Sequence, residues 1–209
     1  MNTTILFDKQ NLKYAKIATW DLGNQVLYNL CLKYPNHKNK SEVLAKIWLI
    51  GRSYAASIER RKNKNHKGED NEMFYEKIVA PAMIKSRLDH YLSRLDIYKE
   101  ISDFNIELIL ETHKYLVDLF VSITELNKRS LASKYLHFHR PNLFYLFDSR
   151  AANSLRKLVP KLANDKYLNY DSTYTSFYLK AYSLNRFIKN KYDIALSPRE
   201  LDKILLWIY

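Results

Sequence analysis

The stretch that decides the fold reads Asn127-Lys-Arg-Ser-Leu-Ala-Ser-Lys-Tyr-Leu-His-Phe-His-Arg-Pro-Asn-Leu-Phe-Tyr-Leu-Phe-Asp-Ser-Arg-Ala151. Apolar residues at helical spacing predict a helix over about 128–138. Pro141 disfavours helix at the residue before it, so the apolar run that follows is expected to cross the protein in an extended conformation. Asp148 then opens the next helix, because aspartate is a favoured N-cap residue.

Helical spacing also runs through most of the remaining chain. Ser41 is positioned to cap a helix with a buried stripe of Leu44, Ile47, Trp48, Gly51, Tyr54, Ala55 and Ile58. Further helices are expected at about 71–79, 82–98, 103–121 and 172–190, and after the capping box Ser197-Pro-Arg-Glu200. We therefore predict an all-α fold and treat residues 1–209 as one helical domain of two intergrown lobes.

Composition excludes several classes of protein. The chain has three glycines and one cysteine in 209 residues. Rossmann domains and P-loops need clustered glycines, so neither is present. Cys31 alone can form neither an intramolecular disulfide nor a multi-cysteine zinc site, and its apolar neighbours predict that it is buried. We expect no cofactor.

The formal net charge is +12, and tyrosine is abundant at 17 residues. A cationic surface favours polyanions, with nucleic acid first and an anionic membrane second. Tyrosine beside lysine and arginine suits nucleic acid, although the same abundance is typical of AT-rich genomes. Neither a signal pattern nor a membrane-length apolar run is evident, so we expect a soluble, cytoplasmic monomer with no membrane partner.

The deciding stretch also joins a lysine-bearing helix to a carboxylate at the start of the next helix. Backbone N–H groups and the helix dipole would keep Asp148 ionised. A fixed carboxylate can stabilise an oxocarbenium-like sugar or activate a water molecule. A partly buried lysine among cations has a depressed pKa and can act as an amine nucleophile. Spacing alone leaves the simpler alternative open, in which Asp148 is only an N-cap.

The same stretch resembles the core signature of the helix-hairpin-helix (HhH-GPD) superfamily of DNA glycosylases. The apolar run Leu143-Phe-Tyr-Leu-Phe147 followed by Asp148-Ser-Arg-Ala-Ala152 is similar to the family's turn into its catalytic aspartate. The segment Trp48-Leu-Ile-Gly-Arg-Ser-Tyr-Ala-Ala-Ser-Ile-Glu-Arg60 resembles the helix that lines the family's base pocket. The resemblance spans roughly 40–209 and is specific only over 127–151. It implies a two-lobed fold with Asp148 as the catalytic residue between the lobes.

The hairpin departs from the family pattern. The usual Leu-Pro-Gly-Val-Gly, whose glycine N–H groups meet a phosphate, is replaced by Ile123-Thr-Glu-Leu-Asn127. Archaeal 8-oxoguanine glycosylases depart similarly, so the resemblance is closest to enzymes of that kind. It suggests a divergent bacterial branch with a role in repair or in defence against phages that carry modified bases.

Two lysines compete for the position of the family's catalytic amine. Lys128 lies thirteen residues before Pro141 (141 − 128 = 13), the spacing of the bifunctional members. Lys134 lies in a run that aligns better with the archaeal enzymes. Six helical residues separate the two, so they point about 120° apart. We favour Lys128 for a Schiff base and Lys134 for contact with DNA or the pocket. If neither reaches the sugar, Asp148 and water alone would cleave the bond.

Arg52 and Glu59 are further candidates for binding substrate. They lie seven residues apart and are predicted to share a helix face, where they could read a base edge. A structural ion pair is the alternative.

Four other residues near the deciding stretch are candidates for DNA contact. His137 and His139 are expected to touch phosphate or the target base, or else to cap the helix end, and their spacing is poor for chelation, so we predict no metal site. Arg140 and Arg150 flank Asp148 and are expected to bind phosphate.

These observations predict a DNA glycosylase whose partner is double-stranded DNA containing a modified base. It would flip the nucleotide, cleave the N-glycosidic bond and leave an abasic site, with a strand-nicking lyase step if a lysine forms an imine. The alternatives are a non-catalytic basic helical protein that binds DNA or RNA, and a basic helical toxin or antitoxin. The sequence does not identify the base.

Overall fold

Helices connected by loops make up the described part of the protein, a computed structural model that describes residues 12–13, 15–16, 21–60, 71–163 and 165–208. No strand occurs among these residues, so the all-α prediction is confirmed. The helices are α1 (Asp21–Lys33), α2 (Lys40–Ser53), α3 (Asn71–Phe74), α4 (Ala80–Lys85), α5 (Leu88–Ser93), α6 (Ile106–Thr124), α7 (Arg129–His139), α8 (Ser149–Leu158), α9 (Ser172–Tyr192) and α10 (Pro198–Ile208). A π-helical turn, Tyr75–Val79, joins α3 to α4, and a 3-10 turn, Asp165–Tyr167, precedes α9.

The segment between α7 and α8 crosses the core without helical structure, as predicted. Its residues 143–146 are buried. Hydroxyl groups from α9 satisfy its backbone, since Tyr178 donates to the carbonyl of Leu143 at 2.9 Å and Tyr174 to that of Tyr145 at 3.1 Å. These bonds replace the strand partners that a buried extended segment would otherwise lack.

Helix α6 is the most apolar helix and packs against α7. Its Leu116 and Phe120 are fully buried, which agrees with the predicted central position. The helix begins at Ile106 rather than near residue 103. Phe104 therefore precedes the helix and is 94% exposed, although the apolar pattern placed it inside.

Helix α2 differs from its prediction at both ends. Asn39 rather than Ser41 is the N-cap, because its side-chain oxygen accepts the Ser41 N–H at 2.9 Å. The helix ends at Ser53, two residues before Ala55 with a φ of 49°. The chain then folds back over Gly51, where an added Cβ would lie 3.1 Å from the Cα of Ser57.

Two other predictions for this region need correction. Trp48 was expected in the buried stripe of α2 but is 47% exposed, because the buried face is centred on Ile47 and Ile50. Pro81 was expected to separate two helices, yet helical structure continues through it. The π-helical turn precedes Pro81, and a π turn shifts the hydrogen-bond ladder where a proline cannot donate.

Helix α10 starts at the predicted capping box. The Ser197 N–H donates to the Glu200 carboxylate at 2.7 Å, and the Glu200 N–H donates to the Ser197 hydroxyl at 3.3 Å. The Ser154 hydroxyl on α8 donates to the carbonyl of Leu205 at 2.7 Å and fixes α10 against α8. None of the described helices has the length and apolar character needed to cross a bilayer.

Candidate active site

Asp148 is the half-buried N-cap of α8. Its backbone is extended, with φ −148° and ψ 174°, and its Oδ1 accepts the Ala151 N–H at 2.9 Å. The positive end of the helix dipole favours a negative charge at this position. The predicted geometry of an anionic carboxylate at a helix N-terminus is therefore present.

Lys134 is the lysine that the fold brings into the electrostatic field of Asp148. It is only 3% exposed, and its Nζ donates to the Ser130 hydroxyl at 2.5 Å and to the carbonyl of Phe147 at 3.1 Å. Burial lowers its pKa, while the negative charges of Asp148 and Asp202 oppose that shift. The ammonium group is thus held beside the residue that immediately precedes Asp148.

Lys128 occupies a different environment. It is the half-buried N-cap residue of α7, and its Nζ donates to the carbonyl of Ser57 at 3.1 Å, in the loop after α2. Burial, together with the charge of Arg60, lowers its pKa, and Glu59 opposes the shift. Its position does not support the hypothesis that favoured Lys128 for the Schiff base, because its contacts lie with this loop instead of with Asp148.

Sequence reasoning missed two residues of this site, Asp202 and Arg199. Asp202 is 4% exposed, and its Oδ2 accepts from Arg199 Nη1 at 2.6 Å. Its Oδ1 has no hydrogen-bond partner among the described residues. Burial raises the pKa of Asp202 to about 6, with a further rise from Asp148, while Arg199 and Lys134 lower it. The available signal was the opposite charges three residues apart, just after a strong helix start.

Tyr54 connects these groups. The Nζ of Lys134 and the Cζ of Arg199 each lie 5.8 Å from the centre of its ring. Burial raises the Tyr54 pKa to about 12, so the phenol stays neutral at physiological pH and donates to Asn24 Oδ1 at 2.7 Å. We call Tyr54, Lys134, Asp148, Arg199 and Asp202 the Asp148 cluster.

A cavity of about 330 Å³ lies beside the cluster and shares Arg199 with it. Its size falls at the small end of the range for ligand pockets. The Nδ2 of Asn24 and the Nε of Arg199 are buried donors for which the described residues offer no acceptor. The cavity is lined by Lys16, Asp21, Asn24, Gln25, Tyr28, His137, Pro141, Asn142, Ser197, Arg199, Glu200 and Lys203.

His137 is fully buried, and both ring nitrogens are engaged. Nδ1 lies 2.9 Å from the carbonyl of Phe144 and must donate to it, so Nε2 accepts from the Tyr28 hydroxyl at 2.6 Å. Burial lowers the pKa of His137 to about 4, which keeps the ring neutral. The expected contact of His137 with phosphate is therefore corrected to a structural role in the wall of the cavity.

His139 and Arg140 also have structural roles. His139 is buried between the rings of His37 and Tyr135, at 5.1 and 4.9 Å between centres. Arg140 donates to the His139 carbonyl at 2.7 Å and forms an ion pair with Asp96. Because both residues are occupied at the C-terminal end of α7, the prediction that they bind phosphate or the base is not supported.

Arg52 and Glu59 form an ion pair, but not on one helix face, because α2 ends at Ser53. Glu59 also accepts from the Tyr75 hydroxyl, so the pair joins α2 to the π-helical turn. This geometry agrees with the structural alternative. Arg150, in contrast, is exposed at the start of α8, where it remains accessible to a phosphate.

The described residues hold no group of three histidine, cysteine or carboxylate side chains placed to bind a metal ion. No protein-family model matches the chain, and no curated protein or solved structure matches it either. The site must therefore be interpreted from its own chemistry. It combines a helix-capping carboxylate, a buried amine and a second buried carboxylate beside a polar cavity.

Proposed function

We propose that the protein is a DNA glycosylase that excises a modified base from double-stranded DNA. The observation that carries the proposal is the burial of Lys134, 3% exposed, in the field of Asp148 at the start of α8. A buried amine with a lowered pKa and a fixed carboxylate are the groups that an N-glycosidic bond cleavage of this kind requires.

In the proposed reaction, the target nucleotide leaves the duplex and its base enters the cavity beside the cluster. The glycosidic bond breaks with its electron pair leaving on the base, which takes up a proton. Asp148 stabilises the positive charge that develops on the sugar. Water completes the reaction and leaves an abasic site.

A lyase step would use Lys134 as the nucleophile. Its neutral amine adds to C1′, water is lost, and the resulting imine allows the strand to break by β-elimination. For this step Lys134 must first release the Ser130 hydroxyl and the Phe147 carbonyl, to which it now donates. We further propose a two-lobed glycosylase arrangement, action as a cytoplasmic monomer and a role in repair or phage defence.

The test is a screen of duplexes that carry damaged, methylated or phage-type modified bases, with mass detection of any released base. Wild type should release at least one base, and Asp148→Asn should release none while binding the same DNA. Asp118→Asn, at a carboxylate that is 56% exposed on α6, is the matched control and should behave as wild type. If wild type releases no base from any duplex, the proposal is wrong.

A non-catalytic nucleic-acid-binding protein is the second candidate. One observation favours it: the described ammonium contacts of Lys134 are to structural oxygens, which suits a lysine that only holds α7 against the crossing segment. This candidate predicts tight, salt-sensitive binding of DNA or RNA by both wild type and Asp148→Asn, without base release.

A further inference from the structure

The Asp148 cluster contains two cations and two carboxylates that share one aromatic neighbour. Lys134 and Arg199 both lie 5.8 Å from the centre of the Tyr54 ring. Asp202 pairs with Arg199 at 2.6 Å and interacts electrostatically with both Lys134 and Asp148. Four charges in a region this enclosed are strongly coupled, so a change in one of them must be compensated by another.

The two cations differ in how they can respond. Arginine does not lose its proton in proteins, whereas lysine readily does so when it is buried. Any loss of negative charge from the cluster must therefore be compensated at Lys134. Asp202 can lose its charge most easily, because it is almost fully buried and its Oδ1 has no hydrogen-bond partner among the described residues.

We propose that Asp202 is the positioning residue that sets whether Lys134 carries a proton. While Asp202 is ionised, Lys134 is held as an ammonium ion that stabilises the folded protein. When Asp202 is neutral, Lys134 becomes the free amine. The consequence for catalysis rests on the proposed function, but the coupling between the two residues does not.

Other charged and titratable groups also face Asp202 from the helices around it. The field at Asp202 is therefore shared by five elements. They are Tyr28 on α1, Tyr54 after α2, Lys134 on α7, Asp148 at the start of α8 and Arg199 on α10. Of these, only Lys134 is a buried cation that can release a proton, so its titration reports the charge on Asp202.

The coupling can be measured without any substrate, by following the ¹³Cε resonance of Lys134 through a pH titration of the full chain. Asp202→Asn removes the negative charge with little change in shape and should lower the Lys134 midpoint by about one pH unit. Asp202→Glu should restore it, and Asp118→Asn should leave it unchanged. An unchanged midpoint in Asp202→Asn overturns the proposal.

Wild type alone provides a second measurement should Asp202→Asn fail to fold. The Lys134 resonance should show an inflection near pH 6, where the buried Asp202 takes up its proton. A Lys134 curve with no inflection where the Asp202 carboxyl titrates overturns the proposal as well.

Borohydride trapping on abasic DNA then tests the catalytic consequence separately. If Lys134 is the nucleophile, the pH of half-maximal trapping should fall in Asp202→Asn by the same shift as the titration midpoint. If the NMR shift is found but wild type forms no trapped complex, the coupling stands and the imine step of the proposed function is wrong.

Discussion

At the scale of single residues, Lys134 and Lys128 have exchanged the roles that their spacing suggested. Lys128 donates to a carbonyl in the loop after α2, whereas Lys134 lies buried in the field of Asp148. Spacing from Pro141 could not separate them, because the reach of a lysine depends on the rotation of α7 against α2 and α8. That rotation is fixed by packing between segments that are distant in sequence.

Borohydride trapping with lysine variants tests this assignment. Lys134→Ala should abolish the covalent complex with DNA, because the amine beside Asp148 is lost. Lys128→Ala is the matched control and should keep most of the trapping, since its contacts lie with Ser57. Loss of trapping in Lys128→Ala alone, with Lys134→Ala still active, would restore the original assignment.

Asp202 shows why part of the site could not be predicted. Alone, Arg199-Glu-Leu-Asp202 resembles an ordinary charge pair in the first turn of a surface helix. Its burial follows from the docking of α10 on α8, through the bond between Ser154 and Leu205. Asp148 was predictable for the opposite reason, since the residues that make it an N-cap are its immediate neighbours.

At the scale of elements, local signals explain which boundaries were predicted. Pro141 and Asp148 fixed the extended crossing and the start of α8, and the capping box fixed the start of α10. The end of α2 had no such signal, because the left-handed residue there is Ala55 rather than a glycine. The π-helical turn before Pro81 likewise has no local sequence signature.

The start of α2 gives a direct test of the corrected cap. Asn39→Ala should lower the free energy of unfolding by about 1 kcal/mol, because the Ser41 and Glu42 N–H groups lose their acceptor. Ser41→Ala should cost clearly less, since its hydroxyl only donates to the Asn39 side chain. Urea unfolding of both variants decides the matter, and an equal or larger loss in Ser41→Ala contradicts the assignment.

At the scale of the whole molecule, buried histidines make stability depend on pH. Burial lowers the pKa of His137 to about 4 and that of His113 to about 3, from an ordinary value near 6.5. Between these values the unfolded chain binds more protons than the folded one, so stability falls as the pH drops below 6.5. Asp202 acts in the opposite direction, because its raised pKa adds stability as the pH falls through about 6.

The histidines should dominate, because several are buried against one such carboxyl. We expect urea-derived stability to decrease from pH 7 to pH 4.5, with His137 contributing on the order of 3 kcal/mol across its full window. His137→Gln should flatten the curve, while His90→Gln, at an exposed position, should not. A wild-type curve that is flat or rises towards pH 4.5 contradicts this account.

The net charge of +12 and the all-α fold were both evident from the sequence, but neither identifies a function. The function proposed for the molecule depends on Asp148, and a single-turnover comparison on the duplex that wild type cleaves best tests it most directly. Asp148→Asn should form abasic sites at least about 100-fold more slowly than wild type, with DNA binding unchanged and Asp118→Asn fully active. Abasic-site formation by Asp148→Asn at the wild-type rate would contradict the central claim.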